Sequence, residues 1–143
     1  MNKETFKPIE ELHTLDTHPF FGASKAVETD LRLGQQWDEL KIHMLQMYSE
    51  KERPLLSGIP KTGLLQKKLQ YVFPIFLHET ISIKTLSAIF DSMKTQNLLL
   101  VQDERGLSGR ESYIYLGIVC SDSTVVYYKV TDGPMKPRQN DEN

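Results

Sequence analysis

The stretch Tyr113–Gly133, YIYLGIVCSDSTVVYYKVTDG, constrains this chain more than any other. Two runs rich in β-branched and aromatic residues, Tyr113–Cys120 and Thr124–Thr131, flank the break Ser121-Asp122-Ser123. Such runs fit a pleated surface and read as the two strands of a hairpin. Asp132-Gly133-Pro134 ends the second strand, because glycine supplies positive φ and proline cannot join a ladder. An antiparallel hairpin with one wet face alternates apolar and polar residues. Here Val126, Tyr128 and Val130 form one face of the second strand, while Val125 and Tyr127 lie on the other with only Lys129 and Thr131 polar. Both faces ask for cover. Helices of this chain can cover one; the other needs more of this chain or a second protein.

The rest of the chain supplies those helices. His18-Pro19 opens the first, since the N–H that proline lacks has no partner at the first helical position. Phe20, Ala23, Val27 and Leu31 give it one apolar face, with Glu28, Asp30 and Arg32 off the stripe and Gly34 as its stop. Trp37–Tyr48 fits a helix through Trp37, Leu40, Met44 and Met47, and fits a strand through Leu40, Ile42 and Met44 alternating with Lys41 and His43. Ser49–Thr62 reads as a loop from its charges, two prolines and Gly58, and Gly63 extends it. Leu69–Phe73 alternates like a strand that Pro74 would end or confine to a sheet edge. Thr80–Met93 reads as the second helix, with Ser82 as N-cap and Ile83, Leu86, Ile89, Phe90 and Met93 on one side. Leu98–Val101 fits a helical extension or a short turn, and Gln102–Ser112, with two glycines, reads as a polar loop. The order predicts an α+β fold, a small mixed β-sheet with flanking helices against one face. Residues 1–17 read as a flexible arm, 18–134 as a single domain and 135–143 as a frayed tail.

Bulk properties narrow the function classes. At 143 residues the chain suits one domain with a real core. A net charge of −2 gives none of the global basic field of a free-standing nucleic-acid binder. Cys120 is the only cysteine, so no intrachain disulfide forms and a reducing compartment is expected. No apolar run reaches the ~18 residues of a membrane span, and the charged N-terminus is no secretory signal, so a soluble intracellular protein without membrane insertion is expected.

Catalytic signatures are sparse. The histidines at 13, 18, 43 and 78 are scattered and Cys120 has no CxxC companion, so no metal and no other cofactor is expected. Neither a phosphate-binding glycine loop nor a GxSxG elbow occurs. Metal-free RNA cleavage needs a base, an acid and a cation for the phosphorane charge. Tyr71, Tyr113, Tyr115, Tyr127, Tyr128, His78 and Lys84 could supply them, but the spacing singles out no set. His78 reads better as a satisfied loop or cap histidine, and the tyrosines as sheet-packing residues. Lys61, Lys67 and Lys68 could touch phosphates or simply form a solvated face. Asp122 at the hairpin tip reads as a turn aspartate bonding its own backbone, or as an acidic finger for a partner's basic pocket.

The segment SDSTVVYYKVTDGPMKP, Ser121–Pro137, closely resembles the end of the small non-catalytic, Sen-fifteen-type subunit of the eukaryotic tRNA-splicing endonuclease. His18-Pro19, Trp37-Asp38-Glu39-Leu40 (like that family's W-x-E-V strand entry) and Leu69–Pro74 follow in the same order, so the likeness spans about Thr17–Pro137. The resemblance implies a fold like the tRNA-intron endonuclease C-terminal domain and makes Leu40–Leu45 a strand. It implies a structural subunit of a heterotetramer that excises introns from precursor tRNA, with the cutting done by two other subunits. Val125, Val126, Tyr127, Tyr128 and Val130 would pair with a homologous catalytic partner, and Ser121, Asp122 and Ser123 would reach a different catalytic subunit. The family's catalytic Tyr/His/Lys triad, with its histidine in a glycine-rich context, has no counterpart around His78. A homodimer in isolation would follow from the same exposed strand. The resemblance places the complex in the nucleus, or on the cytoplasmic face of the mitochondrial outer membrane. Two rivals remain open: a metal-free RNA endonuclease domain using His78 as acid, and an RNA-contacting accessory domain working through Lys61, Lys67 and Lys68.

Overall fold

Ala23, Val27 and Leu31 share one helical face and are all fully buried. They belong to α1 (Phe21–Thr29) and to the π turn Asp30–Gly34 that continues it, where the Gln35 N–H donates to Asp30 O at 2.9 Å. Glu28, expected off the stripe, is also buried; the Arg32 guanidinium bonds its carboxylate one turn on. The computed structural model describes residues 21–47, 51–61, 68–106 and 109–132. The arm 1–17, the His18-Pro19 opening with Phe20, Gly63, Lys67, the Gly133-Pro134 stop and the tail 135–143 lie outside the described residues.

Six strands form one mixed sheet: β1 (Asp38–Gln46), β2 (Glu52–Ile59), β3 (Gln70–Phe76), β4 (Val101–Gly106), β5 (Gly109–Val119) and β6 (Val125–Thr131). β1, β2 and β3 pair antiparallel in sequence order, and β3 pairs parallel with β5. β5 also pairs with β4 and β6, and Tyr113 faces Val101 on one edge and Thr131 on the other. The strand over Leu40–Leu45 and the hairpin Tyr113–Thr131 stand as expected.

Two expected loops are strands, and one proline is misplaced by local rules. Ser49–Thr62 contains β2, whose residues Arg53–Gly58 are buried. Gln102–Ser112 contains most of the β4–β5 pair, because extending β5 past Tyr113 gives even weak strand formers a ready backbone partner. Pro74 lies inside β3, between β2 and β5, not at an edge. The β2–β3 ladder explains how. It covers only Leu56–Gly58 against Gln70–Val72. Pro54 and Pro74 both lie beyond its end, and the Arg53 guanidinium there donates to Pro74 O at 3.2 Å. The missing proline N–H groups therefore cost no ladder bond. Arg53 also bonds Glu79 at 2.7 Å and lies 4.7 Å over the Phe73 ring, so its charge is paired within the fold.

α2 (Ile83–Thr95) is capped at both ends. The Ser82 hydroxyl accepts from the Thr85 N–H at 3.1 Å, as its sequence position predicts. At the other end Asn97 adopts φ 62°, with Leu98 N–H donating to Met93 O and Asn97 N–H to Lys94 O. This left-handed Schellman cap resolves Leu98–Val101 into a turn that enters β4. Ile89, Phe90 and Met93 are buried, whereas Ile83, expected on the same side, is 59% exposed because it precedes the part of α2 that contacts the sheet. The helices do not share a face. α2 packs with Leu45, Leu55, Phe73, Ile75, Ile114 and Leu116, and α1 with Ile42, Leu56, Val72 and Val119. Adjacent strand residues point to opposite faces, so the two clusters are the two sides of one sheet. Long apolar runs in β3 and β5 meet that demand, since these strands are covered on both sides.

Gly117 lets α1 lie against β5. A Cβ there would stand 2.8 Å from Val72 Cγ1 and 3.0 Å from Val27 Cγ2. Gly117→Ala is expected to destabilise the fold by about 1–3 kcal/mol through overpacking, measured as a lowered urea midpoint. An unchanged midpoint would mean that α1 is not seated on β5.

Candidate assembly interface

Among the described residues three strands pair on one side only, β1, β4 and β6, and β1 is guarded. On β1, the side-chain amide of Gln96 accepts from the Gln46 N–H at 2.9 Å and donates to Met44 O at 3.1 Å. One glutamine thus occupies backbone groups that another strand would use, a common way to blunt a sheet edge. β6 pairs with β5 alone among the described residues, so its outer row of backbone donors and acceptors has no strand beside it.

The side chains of β6 divide by face. Val125 and Tyr127 turn toward α1 and pack on its cluster, and the Tyr127 hydroxyl donates to Asp30 Oδ2 at 2.7 Å. These two residues, expected at a partner, are largely engaged by their own chain. Val126 and Tyr128 turn to the other face and are 51% and 65% exposed. Val130 shares that face but packs partly on the α2 cluster. An exposed valine and tyrosine beside an unpaired edge are a contiguous apolar invitation.

The loop Ser121–Ser123 is a three-residue hairpin turn. Ser123 N–H donates to Cys120 O at 2.9 Å, and Cys120 N–H to Thr124 O at 2.8 Å. Ser123 then takes φ 73°, the left-handed position that closes such turns. Asp122 Oδ1 accepts from the Thr124 hydroxyl at 2.7 Å and the Thr124 N–H at 3.1 Å. Those bonds hold its carboxyl below the usual carboxylate range. The turn-aspartate reading therefore holds, and Asp122 also presents a charged, exposed tip.

The candidate acid–base residues are not assembled. His78 stacks on Phe76, 5.5 Å between ring centres, in a cleft lined by Leu77, Val119, Cys120 and Ser121 and, among the described residues, by neither tyrosine nor lysine. The Tyr71 hydroxyl donates to Leu99 O at 2.7 Å, and burial pushes its pKa up to about 12. The Lys129 ammonium lies 4.4 Å over the Tyr113 ring. The described lysines of the basic cluster separate: Lys61 bonds Gln36 Oε1 at 2.8 Å, and Lys68 faces Gln102 O at 3.4 Å in another depression. His43, which local pattern gave no role, bonds Ser57 Oγ at 2.9 Å. Both are buried and neither lines a described cleft, so this Ser–His pair is internal scaffolding.

The family model described as Sen15 protein matches residues 26–140, a span that takes in all six strands. This chain belongs to the Sen15 family. It is 59% identical over 142 residues to a Schizosaccharomyces pombe protein named "Probable tRNA-splicing endonuclease subunit sen15", covering 99% of each chain. It is 28% identical over 149 residues to the Neurospora crassa protein named "Probable tRNA-splicing endonuclease subunit tsp-1", covering 82% of this chain and 65% of that relative. In this Sen15-family sheet the exposed part of β6 and the Asp122 turn fall within the matched span.

Two outcomes follow from this geometry. Burial, with Lys41 adding to it, lowers the His43 pKa from 6.5 to about 4. Between those values the unfolded chain binds a proton that the folded chain refuses, so stability is retained above pH 6.5 and lost as pH falls through the window. The loss reaches roughly 3 kcal/mol at 1.36 kcal/mol per pH unit. His43→Gln, which keeps a bond to Ser57, should flatten that part of the urea-unfolding profile. Ser123→Gly should raise stability by up to about 1 kcal/mol by relieving the left-handed serine, read as a higher urea midpoint.

Proposed function

We propose that this Sen15-family chain is a structural, non-catalytic subunit of a tRNA-splicing endonuclease, and that it joins a homologous subunit through the open edge of β6. The observation that carries this reading is the state of β6: Gln96 blocks β1, while β6 has a strand on one side only and carries the exposed Val126 and Tyr128. A partner strand added to β6 would complete the ladder and cover both side chains at once. Val125 and Tyr127 serve the same end indirectly, by fixing β6 to α1.

The names of both relatives support the endonuclease assembly, with precursor tRNA as the substrate of the whole complex. In the heterotetramer the Ser121–Ser123 turn would reach a different subunit, and the exposed Asp122 carboxylate suits a basic pocket there. Cutting belongs to other subunits in this reading, and the setting of His78 agrees with it.

The test is the double substitution Val126→Asp with Tyr128→Asp. Both sites are exposed, so the circular-dichroism spectrum and thermal midpoint of the isolated chain should stay close to those of the parent. Recovery of partner subunits on co-purification should fall at least about tenfold, which needs only ~1.4 kcal/mol of lost interface energy. Full recovery of the complex would refute the β6 interface.

A further inference from the structure

A second feature lies on the α1 side of the sheet, away from Val126 and Tyr128. Where the π turn ends, a cleft of about 630 Å³ opens against β3, β5 and β6. Three aromatic residues, Trp37, Tyr115 and Tyr127, line it. Each is held in place by the fold. Trp37 packs across Gly58, where a Cβ would come within 3.1 Å of the indole, and its N–H donates from the backbone to Leu31 O at 2.8 Å. Tyr115 meets the Tyr113 ring edge-on at 5.8 Å. Tyr127 is tied to Asp30, whose carboxylate also accepts from Gln35 Nε2 at 3.0 Å.

Two polar groups complete the cleft. The side-chain oxygen Oε1 of Gln70 is buried and has no hydrogen-bond partner among the described residues. A buried acceptor left unmade is costly, so the half-buried Gln70 amide gains by turning toward an N–H donor placed in the cleft. At the mouth, the Lys61 ammonium bonds only the neutral Gln36 side chain among the described contacts, so its charge meets no carboxylate. Aromatic faces, a buried acceptor and a cation together match one chemistry. A nucleobase stacks on aromatic rings and offers exocyclic N–H donors, and its phosphate takes the cation. A proline-rich peptide also uses aromatic grooves, but its prolines have no N–H to give Gln70 and no anion for Lys61.

We propose that this cleft is a stacking site for an unpaired base of single-stranded RNA, with Trp37, Tyr115 and Tyr127 as its platform, Gln70 reading the base edge and Lys61 holding the adjoining phosphate. The choice of RNA rests on the tRNA-splicing reading above, and it makes the subunit a contributor to substrate positioning as well as to assembly.

Trp37 is the only tryptophan of the chain, so its emission reports directly on the cleft. The full chain is titrated with a single-stranded adenylate oligonucleotide. The site requires saturable quenching of Trp37. Lys61→Ala, at an exposed position, should weaken binding and lower the salt slope by about one. Gln70→Leu should weaken it about tenfold with little change in that slope. Absence of quenching, quenching indifferent to both substitutions, or stronger quenching by a proline-rich peptide than by the oligonucleotide would overturn the proposal. Co-purification of Lys61→Ala and Gln70→Leu with the partner subunits separates the two readings. Intact assembly without quenching sinks the RNA site alone, whereas quenching without any assembly sinks the subunit reading and leaves the cleft.

Discussion

Along β5, Tyr115–Val119 is hydrogen-bonded to β3 on one edge and to β6 on the other, while Gly117 leaves room for Val27 of α1 above it. Every layer of the molecule meets at that strand. The parallel pairing with β3 brings in β2 and β1, the antiparallel pairing carries β6 outward, and α1 and α2 close the two faces. A side chain at 117 would push the helix off, and Tyr127, directly across on β6, would lose its place against α1. The position of the open edge thus depends on close packing at one glycine.

The interior of the sheet shows how polar and helix-breaking residues are accommodated. Pro54 and Pro74 sit where β2 and β3 part, and Arg53 occupies the gap with its charge paired to Glu79 and its plane against Phe73. Burial lowers the pKa of this guanidinium, and the Glu79 contact opposes that shift. A buried pair of this kind adds little net stability, but breaking it leaves an uncompensated charge. It fixes β2 against the turn after β3, and so fixes the register of the strands on which α1 rests.

The edge strands β1 and β6 have different fates for a physical reason. The α2 cap places Gln96 where its amide can imitate a neighbouring strand, and β1 is closed to further pairing. No such device covers β6 among the described residues, although an unblocked edge with exposed apolar side chains invites aggregation. In the function proposed for this Sen15-family chain, a protein partner covers the edge left open in this way. The aromatic cleft lies on the opposite face from Val126 and Tyr128, so the two proposed sites use separate surfaces.

Local signals in the sequence determined much of this. The hairpin Tyr113–Thr131, its unusual greasiness on both faces, the Ala23–Val27–Leu31 stripe and the Ser82 cap each follow from spacing and side-chain chemistry within a few residues. Only tertiary structure could decide the rest. β2 is built from Arg53, Pro54, Ser57 and Gly58, which signal a loop until Glu79, Phe73 and the end of a ladder supply what each lacks. Which face of β6 stays bare depends on where α1 lands, and that depends on contacts between residues as far apart as Asp30 and Tyr127. The cleft likewise joins Trp37, Lys61, Gln70 and Tyr115 from separate strands and turns. Periodicity reports a residue's neighbours along the chain, and these features are made by neighbours across it.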